Sequence, residues 1–278
     1  MPGSLGKPGI PHLTSRANPL LKRIRLAASG SRRAGDDLVV AEGVRVLEEA
    51  TSSGHALDAV VATPGFGSAQ RERALLELWR ARGVPLCTVD ERLFCSLSDV
   101  RTPQGALALV RVPPPALGQL PDPGAAPIVC ALGLQDPGNL GTLIRAAAAA
   151  GAAFVCTARG TVSARNPKAV RSSAGSFFRI PVVEHLEPAD FLAYAAAHAI
   201  AVYCADPAAG TPYTLADLRG RCAFVLGNEG RGTQGTGLGS LPALRIPMAR
   251  ATESLNVAMA GTILLFEAAR QRALGPTP

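Results

Sequence analysis

Three polar segments of the sequence carry residue types that can do chemistry, and each follows a short apolar run. They contain Asn139 and Arg145, then Glu229, then Ser254 and Asn256. In open α/β sheets, ligands bind outside the carboxyl ends of the strands. We therefore expect the three segments to meet in one site.

The second segment also matches the dinucleotide-binding pattern G-x-G-x-x-G, at residues 230–235. In a dinucleotide-binding unit, the third glycine opens a helix in the first strand-to-helix turn. Here the match comes late in its domain, and the residues after Gly235 are poor helix formers. The candidate acidic partner, Glu253, lies beyond a further strand. A dinucleotide-dependent oxidoreductase is therefore the least favoured interpretation.

Taken together, the three segments resemble the motifs of the SpoU (TrmH-like) branch of the SPOUT RNA methyltransferases, in that family's order. The motifs read Asn139-x-Gly141-x-x-x-Arg145, then Leu226-Gly227-Asn228-Glu229-Gly230-x-Gly232, then Ile246-Pro247-Met248 with Glu253-Ser254-Leu255-Asn256. The resemblance covers residues 127–273. It implies an α/β fold whose C-terminal SPOUT domain has a parallel sheet and a trefoil knot, a rare exception to unknotted connections.

The same resemblance implies S-adenosylmethionine as the methyl donor, an RNA ribose 2′-hydroxyl as the acceptor, and a homodimer formed through the C-terminal domain. The cofactor would lie bent in the knot and be held mostly by backbone groups. Carried over residue by residue, the cofactor-binding positions are Leu226, Gly227, Ile246, Met248 and Leu255.

Arg145 is the central catalytic residue that the resemblance implies. We expect Asn139 to cap a helix and Arg145 to lie about two turns inside it. Because arginine is essentially never deprotonated, we favour a guanidinium that grips a phosphate and stabilises charge on the 2′-oxygen. The base is then water, phosphate or a transiently neutral guanidine. We expect Glu229 to accept hydrogen bonds from Arg145 or from loop amides, and Ser254 and Asn256 to cap the last helix or contact the ligand.

Positive charge is concentrated in two stretches. The formal net charge is +7, and residues 1–35 hold seven of the 28 Lys and Arg residues and no acid, so the whole surplus lies there. Residues 137–183 are also basic and free of acids. Such stretches favour a polyanionic partner, most simply RNA. A solvated arm or an Arg-rich presequence is the alternative for the first stretch. The expected RNA-binding residues are Arg23, Arg25, Arg32, Arg33, Lys168 and Arg171.

Composition argues against several other classes. Hydrophobic residues make up 47% and charged residues 18% of the 278 residues, which is typical of a globular protein. We expect no membrane span, no signal peptide and a cytoplasmic location. The six cysteines never form C-x-x-C, and the four histidines form no H-x-x-x-H pair, so we expect buried thiols and no metal.

The order of elements predicts two α/β domains. Residues 13–112, including the segment Leu38-Val39-Val40-Ala41-Glu42-Gly43-Val44-Arg45, resemble the L30e-like RNA-binding domain that many members of this family carry in front. The expected domains are therefore a basic arm with an L30e-like domain at 1–112, a Pro/Gly-rich linker at 113–126 and the catalytic domain at 127–278. Expected helices of the first domain are 12–30, 68–82 and one that begins at Gly43, and its expected strands are 37–41, 57–62, 84–89 and 106–112. In the second domain we expect strands at 127–132, 153–157, 178–183, 200–205, 222–227 and 244–248, and helices at 140–150, 167–175, 188–199 and 254–273.

We therefore expect a ribose 2′-O-methyltransferase, most simply one acting on ribosomal (23S-type) RNA, because compact members acting on tRNA lack such a front domain. A tRNA enzyme and a non-catalytic RNA-binding protein of the same fold are the alternatives. Two features depart from the family pattern: the glycine-rich stretch 233–239, and Arg250 where a smaller residue is common.

Overall fold

The chain forms two compact units. The computed structural model describes residues 10–30, 37–208, 210–227, 240–249 and 254–274. One unit comprises Met1–Pro113 with Arg165–Arg179, and the other comprises Pro114–Ala164 with Ile180–Pro278. The segment 165–179 was expected in the catalytic domain, but it belongs to the first unit. The expected limits at 112 and 127 stay a prediction.

The first unit is a small mixed α/β structure. Its elements are α1 (Pro19–Ala28), β1 (Leu38–Glu42), α2 (Val44–Ser52), β2 (Ala56–Ala62), α3 (Gln70–Ala81), β3 (Leu86–Thr88), α4 (Glu91–Cys95) and β4 (Ala106–Arg111). The four strands form a sheet in the order β1-β4-β2-β3. Strand β4 runs antiparallel to β1 and β2, and β2 runs parallel to β3. An α/β unit in front of the second domain was expected, whereas its L30e-like character stays a prediction.

The second unit contains a seven-stranded, wholly parallel sheet. Its elements are β5 (Ile128–Leu132), α5 (Pro137–Ala149), β6 (Phe154–Ala158), β7 (Val182–Leu186), α7 (Pro188–Ala197), β8 (Ala201–Ala205), β9 (Thr211–Pro212), β10 (Cys222–Gly227), β11 (Ala243–Arg245) and α8 (Val257–Ala273). Between β6 and β7 the chain forms α6 (Pro167–Ser172), which lies in the first unit.

The strand order of this sheet, β7-β6-β5-β10-β8-β11-β9, determines where a ligand can bind. Strand β10 lies between β5 and β8, and every strand pair is parallel. The carboxyl ends of β10, β8 and β11 are therefore neighbours at one edge of the sheet. The predicted parallel sheet is confirmed, and the trefoil knot stays a prediction.

Several predicted boundaries were wrong, for local reasons. The strand expected at 178–183 is β7 at Val182–Leu186, because a left-handed Gly175 (φ 86°) starts a 3-10 turn through Phe178. The strand expected at 244–248 ends at Arg245, and Pro247 beyond it has no N–H for a ladder. Helix α6 ends at Ser172 rather than at 175. The short elements α4 and β9 were not predicted.

Helix starts follow the capping side chains. Asn18 accepts a hydrogen bond from Leu20 N and caps α1, so the first helix spans Pro19–Ala28 rather than the expected 12–30. The last helix begins at Val257 rather than at 254, because Asn256 caps it. Asp136, not Asn139, caps α5, with Pro137 at its first position. None of the helices formed by the described residues has the length and apolar character that a membrane span requires.

Helix α8 packs unusually closely on α5 and β10 at Gly261. A Cβ placed on Gly261 would lie 2.5 Å from Leu143 Cδ1 and 2.6 Å from Leu226 Cδ1. Both leucines are fully or almost fully buried. A side chain larger than hydrogen therefore cannot fit here without a shift of the helix or of both leucines.

Gly261→Ala should lower the free energy of unfolding by about 1–3 kcal/mol, because overpacking a close-packed core costs that much. Urea denaturation would measure it. Gly220→Ala is the matched control, since a Cβ at that exposed glycine meets nothing within 4 Å. Equal stability of the two variants would contradict the close packing described here.

Candidate ligand cleft and catalytic residues

A cleft opens at the carboxyl ends of β8, β10 and β11, bounded by the start of α8. It is lined by Ala205, Asp206, Pro207, Leu226, Gly227, Leu244, Ile246, Met248, Ser254, Leu255, Val257 and Ala260. All five residues predicted to bind the cofactor, Leu226, Gly227, Ile246, Met248 and Leu255, are among them. The structure thus brings them together, while their contact with a cofactor stays a prediction.

The local sequence explains why the chain opens a cleft at this edge. Strand β10 ends at Gly227, where an added Cβ would meet only Leu132 Cδ2, at 4.0 Å. Beyond β11, residues 246–249 leave regular structure, and Asn256 then begins α8. The three strand ends therefore present backbone and small or aliphatic side chains, which suits a flat ligand.

One wall of the cleft was missed by sequence reasoning. Ala205, Asp206 and Pro207 follow β8, and Asp206 is half-buried. The Asp206 backbone N–H donates to Leu244 O at 3.1 Å, and its Oδ1 accepts from Ala208 N at 2.8 Å. The available signal was the same as for the other loops: a polar residue directly after a buried strand.

The first and third motifs are joined by a direct side-chain hydrogen bond. Asn256 Nδ2 donates to Asn139 Oδ1 at 2.9 Å, across 117 residues of sequence. Asn256 Oδ1 accepts from Ala258 N at 2.9 Å and from Met259 N at 3.3 Å, so the same side chain caps α8. One asparagine therefore starts α8 and holds Asn139 of the first motif.

Asn139 lies inside helix α5 rather than at its cap. Asp136 Oδ2 accepts from the Asn139 backbone N–H at 3.3 Å, which leaves the Asn139 side chain to meet Asn256. The expectation that Asn139 caps this helix was wrong, because Asp136 followed by Pro137 forms the stronger start signal.

Arg145 lies six residues after Asn139 on α5. At about 100° per residue the two side chains leave the helix about 120° apart. Arg145 is exposed, and none of the described residues forms a hydrogen bond or an ion pair with it. Its guanidinium is therefore available to a ligand or to a second protein chain.

The predicted residue Glu229 lies outside the described residues, as do Arg32 and Arg33. Ser254 is half-buried and lines the cleft, but it does not cap α8. No group of three His, Cys, Asp or Glu side chains placed to hold a metal ion occurs among the described residues.

The other predicted RNA-binding residues are partly engaged within the first unit. Arg23 pairs with Asp58, and Arg25 donates to the carbonyl oxygens of Arg16 and Leu21. The Arg171 guanidinium donates to Asp99 at 2.8 and 3.3 Å. Lys168 is exposed on α6.

The fold and the cleft together place the chain in the class of parallel α/β proteins with a ligand cleft at the carboxyl ends of the central strands. Comparison with known proteins specifies the family. The family model described as SpoU rRNA methylase matches residues 126–266, and the MRM3-like substrate-binding domain matches residues 18–108. The chain belongs to the SpoU rRNA methylase family, which confirms the resemblance carried by the three motifs.

Individual relatives agree with this assignment. A 23S rRNA (guanosine(2553)-2′-O)-methyltransferase of Bacillus subtilis is 35% identical over 66% of this chain and 72% of its own. An uncharacterized tRNA/rRNA methyltransferase of Synechocystis is 28% identical over 97% of each chain. The fold is also similar to that in the crystal structure of an AdoMet-bound rRNA methyltransferase from Sinorhizobium meliloti, with a TM-score of 0.81. The two sequences are 27% identical, and the match covers 94% of this chain and 98% of that one.

The Asn139–Asn256 bond should be measurable as a coupling between two substitutions. Asn139→Ala removes the bond, and Asn256→Ala removes both the bond and the cap of α8. The double variant should be about 0.5–1.5 kcal/mol more stable than the sum of the single effects predicts. Urea denaturation of the four proteins gives this coupling energy.

Thr142→Ala provides the control for this cycle. Thr142 lies on the same helix but bonds only to Gly138 O. Its effect should therefore add to that of Asn256→Ala. Strict additivity in the Asn139 cycle as well would show that the bond contributes nothing in solution.

Proposed function

We propose that this chain transfers a methyl group from S-adenosylmethionine to a ribose 2′-hydroxyl of RNA. The observation that carries the proposal is the convergence of the family's motifs. Residues of the second and third motifs line one cleft, and a hydrogen bond from Asn256 connects the first motif to it. Family membership supports the same chemistry.

Residues of the cleft fit the proposed methyl donor. Among the described residues, only Leu132 comes within 4 Å of a Cβ placed on Gly227, and the Gly227 backbone is not left-handed. A ligand lying against the backbone is a physical reason for glycine at this position. Aliphatic walls suit an adenine ring, while Asp206 and Ser254 offer polar groups for its sugar or amino-acid ends.

Gly227→Ala tests the cleft as the donor site. Among the described residues the methyl group meets only Leu132, at 4.0 Å, so the melting temperature should stay within experimental error of the unchanged protein. Affinity for S-adenosylmethionine, measured by isothermal titration calorimetry, should fall by about tenfold or more, as expected for one methyl group in a fitted pocket. Gly220→Ala is the control, and unaltered affinity in Gly227→Ala would place the donor elsewhere.

S-adenosylmethionine, when bound, supplies an electrophilic methyl group on a sulfonium. The chain then has to hold the ribose oxygen in line with that group and assist the loss of its proton. We propose that Arg145 grips the neighbouring phosphate and stabilises negative charge on the 2′-oxygen. Asn139, Asn256 and Ser254 position the cleft edge, and Glu229 is proposed to orient the guanidinium.

Arg145→Ala should leave S-adenosylmethionine affinity unchanged and lower methyl transfer by about 100-fold or more, the effect of removing one donor to a developing oxyanion. Arg145→Lys keeps the charge but loses the bidentate geometry of the guanidinium. Its rate of methyl transfer should therefore lie between those of the unchanged protein and of Arg145→Ala. Transfer of labelled methyl groups to RNA gives the rates. Arg159→Ala, which removes a surface partner of Glu187, is the control. Near-normal turnover of Arg145→Lys would show that the guanidinium is dispensable.

Ribosomal RNA of the 23S type is the proposed substrate class. The Bacillus subtilis relative is named for that RNA, and the front region matches a substrate-binding domain. The proposed RNA contacts are Lys168, Arg171 and the arginines at 23, 25, 32 and 33. Of this set, Arg23, Arg25 and Arg171 have partners within the first unit, and Lys168 lies exposed at the start of α6. A tRNA substrate is the alternative.

We also propose that the chain acts as a homodimer through its second unit. Helix α8 exposes Met259 (62%) and Phe266 (48%), two large apolar side chains seven residues apart and hence close to one face. In such a dimer, the partner protomer would complete the site around the exposed Arg145. A cytoplasmic location is proposed as well, since none of the six cysteines forms a disulfide and five of them are buried, as in a reducing compartment.

A further inference from the structure

A second cleft lies wholly within the first unit, beside the end of β1. Its lining includes Glu42, Arg45, Val46, Val100, Gln104 and Arg171. Glu42 is the last residue of β1, and Gly43 (φ 98°) turns the chain directly into α2. The residues that could contact a ligand thus come from one strand end, one helix start, the loop before β4 and helix α6.

Glu42 is a buried carboxylate with spare acceptor capacity. It is 5% exposed, its Oε1 accepts from Ser98 Oγ, and its Oε2 lies 3.9 Å from Arg171 NH1. An ionised carboxylate offers about four acceptor sites, and the described residues occupy few of them. Burial raises the pKa of Glu42, so keeping a charge here costs stability. A buried charge that costs stability is typical of a binding site.

Two groups at the rim are available to a ligand as well. Arg45 is exposed and makes no hydrogen bond or ion pair among the described residues. Gln104 Oε1 accepts from Val44 N at 2.8 Å, which directs its amide NH₂ away from the start of α2. The cleft thus combines a carboxylate, a free guanidinium and an oriented amide with the apolar side chains Val46 and Val100.

This combination selects the chemical class of the ligand. A simple cation is disfavoured by Arg45 and Arg171, and a simple anion by Glu42 and Asp99. A nucleotide satisfies both the carboxylate and the guanidinium groups, because it joins a neutral base with N–H donors to a phosphate. Guanine alone among the four RNA bases has two adjacent donors, N1–H and N2–H, on its Watson–Crick edge. The other three place a lone-pair acceptor beside their donor, which a carboxylate repels.

We propose that the Glu42 cleft binds a guanine of the RNA substrate in single-stranded form, with the carboxylate on the Watson–Crick edge and Arg45 on a phosphate. This inference rests on the proposed function for its ligand, an RNA. Single-stranded bases are read on this edge by proteins in general. With this cleft, the first unit would recognise the base sequence of the RNA as well as bind its phosphates.

Fluorescence anisotropy with the full chain and labelled RNA pentamers tests the proposal. Four probes differ only in the central base, UUGUU, UUAUU, UUCUU and UUUUU. The unchanged protein should bind the guanosine probe about tenfold more tightly than the others. Glu42→Gln should abolish the preference, because an amide cannot accept from both donors. Arg45→Ala should weaken all four probes equally and reduce the salt dependence of binding.

Glu77→Gln is the matched control, since Glu77 is exposed on α3 and does not line the cleft. It should keep the guanosine preference. Thermal unfolding should show Glu42→Gln at least as stable as the unchanged protein, so that loss of preference is not loss of fold. Equal affinity for all four probes, or a preference that survives Glu42→Gln, would overturn the proposal.

Methyl transfer separates this inference from the proposed function. Transfer to RNA without any guanosine preference in binding would refute the Glu42 cleft alone. A guanosine preference removed by Glu42→Gln, in a protein that transfers no methyl group, would refute the methyltransferase proposal and leave the cleft standing.

Discussion

The site in the second unit depends on how closely α8 approaches α5 and β10. Gly261 allows that approach, since its missing side chain is the space that Leu143 and Leu226 occupy. The same approach brings Asn256 within hydrogen-bonding distance of Asn139. Without it, the third motif would not close the cleft over the end of β10. Close packing in the core therefore fixes the relative positions of the polar residues at the edge of the sheet.

This arrangement gives single residues several tasks. Asn256 caps a helix and holds Asn139, while Ser254 and Leu255 just before it line the cleft. Arg145, in contrast, has no described partner to hold it. A cleft at the ends of packed strands, beside an exposed guanidinium, suits a reaction in which the donor is fixed by the protein and the acceptor arrives with its own phosphate.

Sequence reasoning predicted the parallel sheet because its central strands β5, β6 and β10 are buried on both faces and read as continuous apolar runs such as Cys222–Gly227. The motif residues could be grouped because carboxyl ends of parallel strands meet at one edge. What could not be predicted was the pairing of Asn139 with Asn256, which depends on the close packing at Gly261. Capping by Asp136 was also missed, although Asp136-Pro137 is a readable start signal. The Asp206 wall had no motif to mark it.

The segment 165–179 shows most clearly where the linear order of the chain misleads. It follows β6 of the second unit, yet its contacts belong to the first, where Arg171 lies beside Asp99 and the buried Glu42. Arg179 likewise pairs with Glu49, and Gly175 leaves no room for a side chain against Glu49. The substrate-binding unit is therefore built from two separate parts of the sequence. Removing residues 165–179 would therefore take Arg171 away from the buried Glu42 and leave that carboxylate without its nearby positive charge.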